Sequence, residues 1–148
     1  MERFRPVRVL VVEDNPDDVE IARRGFAKIQ TACTLLVLRD GQEVLDALLR
    51  PPSSEHGAAL RPDFILLDIK LPKVDGLEVL RQIRDSEALS LIPVVMLSAS
   101  GREEDVNTSY RLGANSYIQK PVVFDRFLEA LGVLGQYWFQ VATLPQAS

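Results

Sequence analysis

The sequence predicts a doubly wound α/β fold, with five parallel strands in the order 2-1-3-4-5 and helices on both faces. Three observations lead there. Short runs rich in β-branched residues and leucine, "VRVLVV" (7–12), "CTLLVL" (33–38), "DFILLD" (63–68) and "IPVVMLS" (92–98), with a weaker "SYIQ" (116–119), are apolar nearly throughout. Parallel strands covered on both faces read this way, whereas half-exposed antiparallel strands alternate. The stretches between the runs repeat apolar residues at helical spacing, and strand and helix alternate along the chain. That order implies a parallel sheet joined by right-handed crossover helices.

The first helix carries Val19, Ala22, Phe26 and Ile29, the second Val44, Leu45, Leu48 and Leu49, and the third Gly76, Val79, Leu80 and Ile83. A fourth, over about 103–112, opens with Glu103, Glu104 and Asp105, acids that suit the positive helix N-terminus, and is followed by Gly113. A fifth carries Phe124, Phe127, Leu128, Leu131 and Trp138. The Pro-, Ser- and Gly-containing stretch "RPPSSEHGAALRP" (50–62) reads as a surface loop before the third strand. With 148 residues the chain is expected to be one domain, its core at about 7–135, with an extended last helix and a short tail.

Composition excludes several classes of function. A net charge of −4 removes the basic footprint of a general nucleic-acid binder. No run approaches the roughly 20 apolar residues of a membrane span, and the N-terminal run is too short for a signal peptide. The single Cys33 cannot form an intrachain disulfide and is expected to be a buried thiol, which fits a reducing, cytoplasmic setting. No Gly-rich phosphate loop follows the first strand, no G-x-S-x-G elbow exists, and the only histidine, His56, falls in the long loop.

Doubly wound sheets place their sites beyond the carboxyl ends of the strands. Here those ends supply Glu13 and Asp14 from the first strand, Asp68 from the third, Ser98 from the fourth and Lys120 from the fifth. Taken singly, each has an ordinary reading as a helix cap, a turn residue or a solvated charge. Taken together they crowd three acids around one lysine, and the excess negative charge calls for a cation. Oxygen-only ligands without histidine or cysteine favour a hard ion, Mg²⁺ before Ca²⁺, with Asp14 and Asp68 as direct ligands and Glu13 acting directly or through water. A carboxylate beside Mg²⁺ and an ammonium can act as a nucleophile toward a phosphoryl group, which makes Asp68 the candidate phosphoacceptor, with the Ser98 hydroxyl placed to bond a phosphoryl oxygen.

At this point "LVVEDNPDD", "DFILLDIKLPKVDGLEVL", "PVVMLSAS" and "GANSYIQKP", in this order over about residues 7–135, resemble the receiver domain of two-component response regulators. The resemblance implies the flavodoxin-like receiver fold and a signalling module rather than an enzyme. It implies that Asp68 takes a phosphoryl group from a sensor histidine kinase, with Mg²⁺ held by Glu13, Asp14, Asp68 and the backbone carbonyl of Lys70. It further implies that Lys120 pairs with the phosphoryl group, before a Pro121 whose peptide bond is often cis in the family. It also implies a switch: Ser98 moves to the phosphoryl oxygen, Tyr117 turns inward, and the face of the fourth helix, fifth strand and fifth helix changes its partner preference. Two departures stand out. Glu13–Asp14 replaces the commoner Asp–Asp pair, and Lys70 puts a cation where side chains influence loss of the phosphoryl group. A phosphatase of the haloacid dehalogenase type also uses an Asp nucleophile and Mg²⁺, but wants a second Asp where Lys70 stands; a receiver that binds partners without phosphorylation is the other alternative.

After Lys120 the sequence has room for one helix and a tail, so a stand-alone receiver acting by protein contact or onward phosphotransfer is expected. Val123, Ala130, Val133 and Tyr137 form a second apolar line on the last helix, extended by Trp138 and Phe139; Val123, Val133 and Tyr137 are the interface candidates. The "EDNPDD" opening, the long loop, "LPKVDG" and the "YWF" ending resemble the small regulators that pair with bacterial phytochrome kinases, which implies a homodimer through the fourth and fifth helices.

Overall fold

A computed structural model describes residues 5–146. Its strands are β1 (Val7–Val12), β2 (Cys33–Leu38), β3 (Phe64–Leu67), β4 (Val94–Ser98) and β5 (Ser116–Gln119), all parallel in one sheet of order β2-β1-β3-β4-β5. Helices α1 (Pro16–Ala27), α2 (Gly41–Leu48), α3 (Gly76–Asp85), α4 (Glu103–Arg111) and α5 (Phe124–Gln136) alternate with them. The predicted order and alternation are both present.

Side-chain alternation along each central strand feeds two cores. Val7, Val9, Val11, Phe64, Leu66, Val95 and Leu97 point to the side where α1 and α5 bring Ala22, Phe26, Phe127 and Leu131. Leu10, Val12, Ile65, Leu67, Val94 and Met96 point to the other, against Val44 and Leu48 of α2 and Val79, Leu80 and Ile83 of α3. These runs read as continuous because both faces are covered.

Strand β2 departs from that expectation. Its burial alternates, with Thr34 and Leu36 exposed, because it lies at the sheet edge and α2 covers only its end near Leu38. Cys33 is for the same reason half-buried rather than buried, although burial still pushes its thiol up. Leu49 and Phe124, predicted on core stripes, are exposed: Leu49 is already the C-cap of α2, and Phe124 opens α5 before the helix meets the sheet.

The helix starts follow local chemistry. Asn15 accepts from the Asp17 and Asp18 amides ahead of Pro16, Asp40 accepts from the Glu43 amide, and Asp75 from the Glu78 amide. Gly113, after α4, takes a positive φ of 102°. Beyond α5 the chain makes a π-helical turn, Tyr137–Val141. That wider turn brings Phe139 into the α1/α5 core and leans Trp138 on Phe64, so these two aromatics do not extend the exposed line; Tyr137 stays outside. No helix among the described residues is long and apolar enough to cross a membrane.

Candidate functional site

Pairing of β1 with β3 ends at Val12 and Leu67, and one residue further Glu13 and Asp68 stand side by side. Both are held there by backbone bonds, Asp68 N–H to the Val12 carbonyl at 3.1 Å and Glu13 N–H to the Leu38 carbonyl at 3.0 Å. Across β4, the Lys120 amide donates to the Ser98 carbonyl at 2.7 Å, which fixes where the lysine leaves β5. Four separate sequence segments thus meet at one sheet edge.

Lys120 is the centre of the cluster. Its ammonium donates to Glu13 Oε1, to Asp18 Oδ2 at 2.9 Å and to Asp68 Oδ2 at 3.0 Å. The other Asp68 oxygen, Oδ1, accepts from the Lys70 amide at 3.3 Å, and Glu13 Oε2 accepts from the Asn15 amide at 3.1 Å. Glu13 is 3% and Asp68 6% exposed, while Asp14 is open to solvent. Oxygens of these three acids lie within 4.8 Å of one another.

The charges are unequal in number, and the pKa values show it. Burial, partly offset by the hydrogen bond from Lys120 and reinforced by the charge of Asp68, pushes the Glu13 carboxyl up to about 7 from 4.5. Burial works to lower the Lys120 pKa, but its bonds to Glu13 and Asp18 and the charge of Asp68 outweigh it, and the ammonium is held above its ordinary value. Lys120 is therefore a fixed cation at neutral pH, and the carboxylates facing it retain unmet demand for positive charge.

Gly76 sets the geometry from below. Its amide donates to the Ile69 carbonyl at 2.7 Å, and a Cβ there would stand 1.9 Å from the Asp68 carbonyl oxygen. On the far side of the loop, a Cβ on Gly41 would come as close to the Val74 carbonyl oxygen, and Lys73 takes a left-handed φ of 70°. The segment 69–75 is folded tightly under the acid cluster, with the Lys70 side chain exposed.

Ser98 is buried, and its hydroxyl oxygen accepts from the Ser100 amide at 3.2 Å. The Tyr117 hydroxyl donates to the Ser100 carbonyl at 2.7 Å, so its ring is tied to the loop that leaves Ser98. The Lys120–Pro121 bond is trans, since no peptide among the described residues is cis. Every site residue named from sequence except Tyr117 and the α5 positions belongs to this strand-end edge. Asp18 was missed: of the acids of "EDNPDD" only Glu13 and Asp14 stand at the strand end, yet Asp18, in the first turn of α1, reaches back to Lys120. The density of acids there was the available sign.

Residues 9–132 match the response regulator receiver domain. The chain belongs to that family. Among proteins similar to this receiver, the probable methanogenesis regulatory protein FilR2 of Methanothrix harundinacea (strain 6Ac) is 38% identical over 93% of this chain and 87% of that protein. The response regulator Rcp1 of Synechocystis sp. (strain ATCC 27184 / PCC 6803 / Kazusa) is 34% identical over 96% of this chain and 95% of its own. The crystal structure of Rcp1 in its Mn²⁺-bound form matches with a TM-score of 0.88 at 34% identity over 95% of this chain and 100% of that one. The phosphorylated cyanobacterial phytochrome response regulator RcpA matches with a TM-score of 0.89 at 36% identity, covering 96% of this chain and 100% of the other. This receiver is thus related to phytochrome response regulators, and its own donor set, three convergent carboxylates with no histidine or thiolate, fits a hard divalent cation.

Proposed function

We propose that this receiver is the phosphoacceptor of a phosphorelay: Asp68 takes a phosphoryl group from a phosphohistidine of a sensor histidine kinase in a Mg²⁺-dependent reaction. The observation that carries the reading is the placement of the Lys120 ammonium 3.0 Å from Asp68 Oδ2, beside carboxylate oxygens of Glu13, Asp14 and Asp68 that converge within 4.8 Å. Glu13, Asp14, Asp68 and the backbone carbonyl of Lys70 would hold the cation, which when bound offsets charge on the phosphoryl oxygens. An Asp68 carboxylate oxygen forms a bond to phosphorus as the P–N bond of phosphohistidine breaks, and the imidazole nitrogen keeps the electron pair. Lys120 stays an ammonium throughout and bonds a phosphoryl oxygen. The Ser98 hydroxyl gives up the Ser100 amide for a second one, and Tyr117, tied to the same loop, carries that movement to the α4/β5/α5 face.

On that face Val123, Val133 and Tyr137 are 56%, 59% and 52% exposed, an apolar strip available to a second copy or a downstream protein. The likeness to the phytochrome response regulator RcpA, which this chain covers in full, supports a bacterial phytochrome as the kinase and a stand-alone receiver as the form, and the exposed apolar strip supports a homodimer as the assembly.

Incubation with Mg²⁺ and acetyl phosphate, followed by intact-mass measurement, is expected to show one added phosphoryl group in the wild type and none in Asp68→Ala. Equal gain in both, or none in the wild type, refutes the assignment; the latter outcome favours a receiver that binds partners without phosphorylation.

A pH dependence follows from Glu13. Its carboxyl is held near 7 in the fold against 4.5 when unfolded, so between these values the folded protein keeps a proton that the unfolded chain has lost. Stability of the cation-free protein therefore falls as pH rises through that window. Cation binding needs the carboxylate, so Mg²⁺ affinity is expected to rise with pH up to about 7, by at most about tenfold per pH unit, and then level off. Calorimetry in buffers of different ionisation enthalpy reads the released proton, and Glu13→Gln is expected to abolish it. A flat affinity between pH 5.5 and 7.5 in the wild type would sink this reading.

A further inference from the structure

An ammonium has three N–H bonds, and those of Lys120 go to three carboxylates, Glu13, Asp18 and Asp68. Two of these have a competing duty: Glu13 and Asp68 belong, with Asp14, to the acid group that converges within 4.8 Å, and Asp18 does not. Glu13 and Asp68 would turn toward a cation held in that group, and Lys120 would give one N–H to a phosphoryl group on Asp68. Only the bond to Asp18, at 2.9 Å, is left to hold the lysine.

Asp18 is suited to that task. It lies in the first turn of α1, where Pro16 and the Asn15 cap fix the backbone, and its side chain is only 18% exposed. A lysine stem is flexible and loses rotamer freedom when held in one place, so an anchor already in position favours the productive arrangement.

We propose that Asp18 is a positioning residue for Lys120, keeping the ammonium over Asp68 when cation and phosphoryl group have taken the other two carboxylates. The inference rests on the phosphoacceptor reading of Asp68. It assigns a function to the helix turn that follows the acidic pair, beyond capping.

The test uses the full chain, Asp18→Ala, Asp18→Asn and, as a charge control, Asp17→Ala on the exposed side of the same turn. With acetyl phosphate an Asp68 oxygen bonds phosphorus as the P–O bond to acetate breaks, and acetate leaves with the electron pair. At saturating Mg²⁺, uptake by intact mass is expected to be about tenfold slower in Asp18→Ala. Mg²⁺ affinity should stay within about fivefold, the effect of one nearby screened charge. Asp18→Asn keeps an acceptor oxygen on the same stem and is expected to recover most of the rate, and Asp17→Ala to match the wild type.

Independently of uptake, ¹⁵N NMR of the lysine ammonium is expected to show a slowly exchanging Lys120 signal that survives Mg²⁺ addition in the wild type and disappears with Mg²⁺ in Asp18→Ala. The proposal is overturned if Asp18→Ala reacts at the wild-type rate with its signal intact, if Asp17→Ala slows as much, or if Asp18→Asn is as slow as Asp18→Ala. Should Asp18→Ala not fold, Asp18→Asn decides through the same NMR signal, which must survive Mg²⁺. A wild type that takes up no phosphoryl group refutes the reading of Asp68 instead, and the Mg²⁺-dependent ammonium signal still decides Asp18.

Discussion

Replacing Gly76 by alanine is expected to destabilise the protein by about 3 kcal/mol, the upper end for overpacking a site that cannot relax. The added Cβ would stand 1.9 Å from the Asp68 carbonyl oxygen and 2.8 Å from both the Asp68 carbonyl carbon and the Ile69 Cα. All three are backbone atoms, so no side chain can swing aside. Relief requires either moving α3 away, which breaks the 2.7 Å bond from the Gly76 amide to the Ile69 carbonyl, or moving the end of β3. The second route shifts Asp68 itself, against its bonds to Val12, Lys70 and Lys120. Urea denaturation measures the stability change, and phosphoryl uptake by the folded fraction measures the displacement of Asp68. A loss below about 0.5 kcal/mol with uptake unchanged would show that the loop does not close on the acid as described.

Gly76 also marks how far sequence reasoning reaches. Its place at the start of a helix was legible from spacing, but its contact with Asp68 was not, because the contact depends on the path of residues 69–75, which turns through a left-handed Lys73 and under Gly41. The strands, β2 among them, were legible because covered parallel strands are uniformly apolar, but the burial of β2 departed from that pattern because an edge strand can carry Leu36 on a face that α2 covers only near Leu38. Glu13, Asp14, Asp68 and Lys120 were legible as a group because a parallel sheet sends every strand end to the same edge. Asp18 was not, since a helix turn adds a direction that strand topology does not specify.

The same limit decided the end of the chain, and there the second large effect is expected. Phe139→Ala should cost about 4 kcal/mol, as for other large-to-small changes of a buried aromatic. Phe139 lies edge-on to Phe64 at 5.2 Å and against Phe26 at 5.6 Å, so it joins the β3 strand, helix α1 and the turn beyond α5 in one cluster. Helical continuation of α5 would have left a different residue facing the sheet; the π turn over Tyr137–Val141 rotates Phe139 inward and leaves Tyr137 out. Tyr137→Ser is expected to cost only about 1 kcal/mol, since the half-exposed ring gives up little beyond its edge-on contact with Trp138 at 5.3 Å. The single tryptophan, Trp138, has its ring 5.7 Å from Phe64, so its fluorescence reports the transition in both variants. If Phe139→Ala costs less than about 1 kcal/mol, the turn does not belong to the core. A measured contrast between the two variants would instead separate the roles of adjoining aromatics: Phe139 fixes the end of α5, and Tyr137 is left for whatever binds that face.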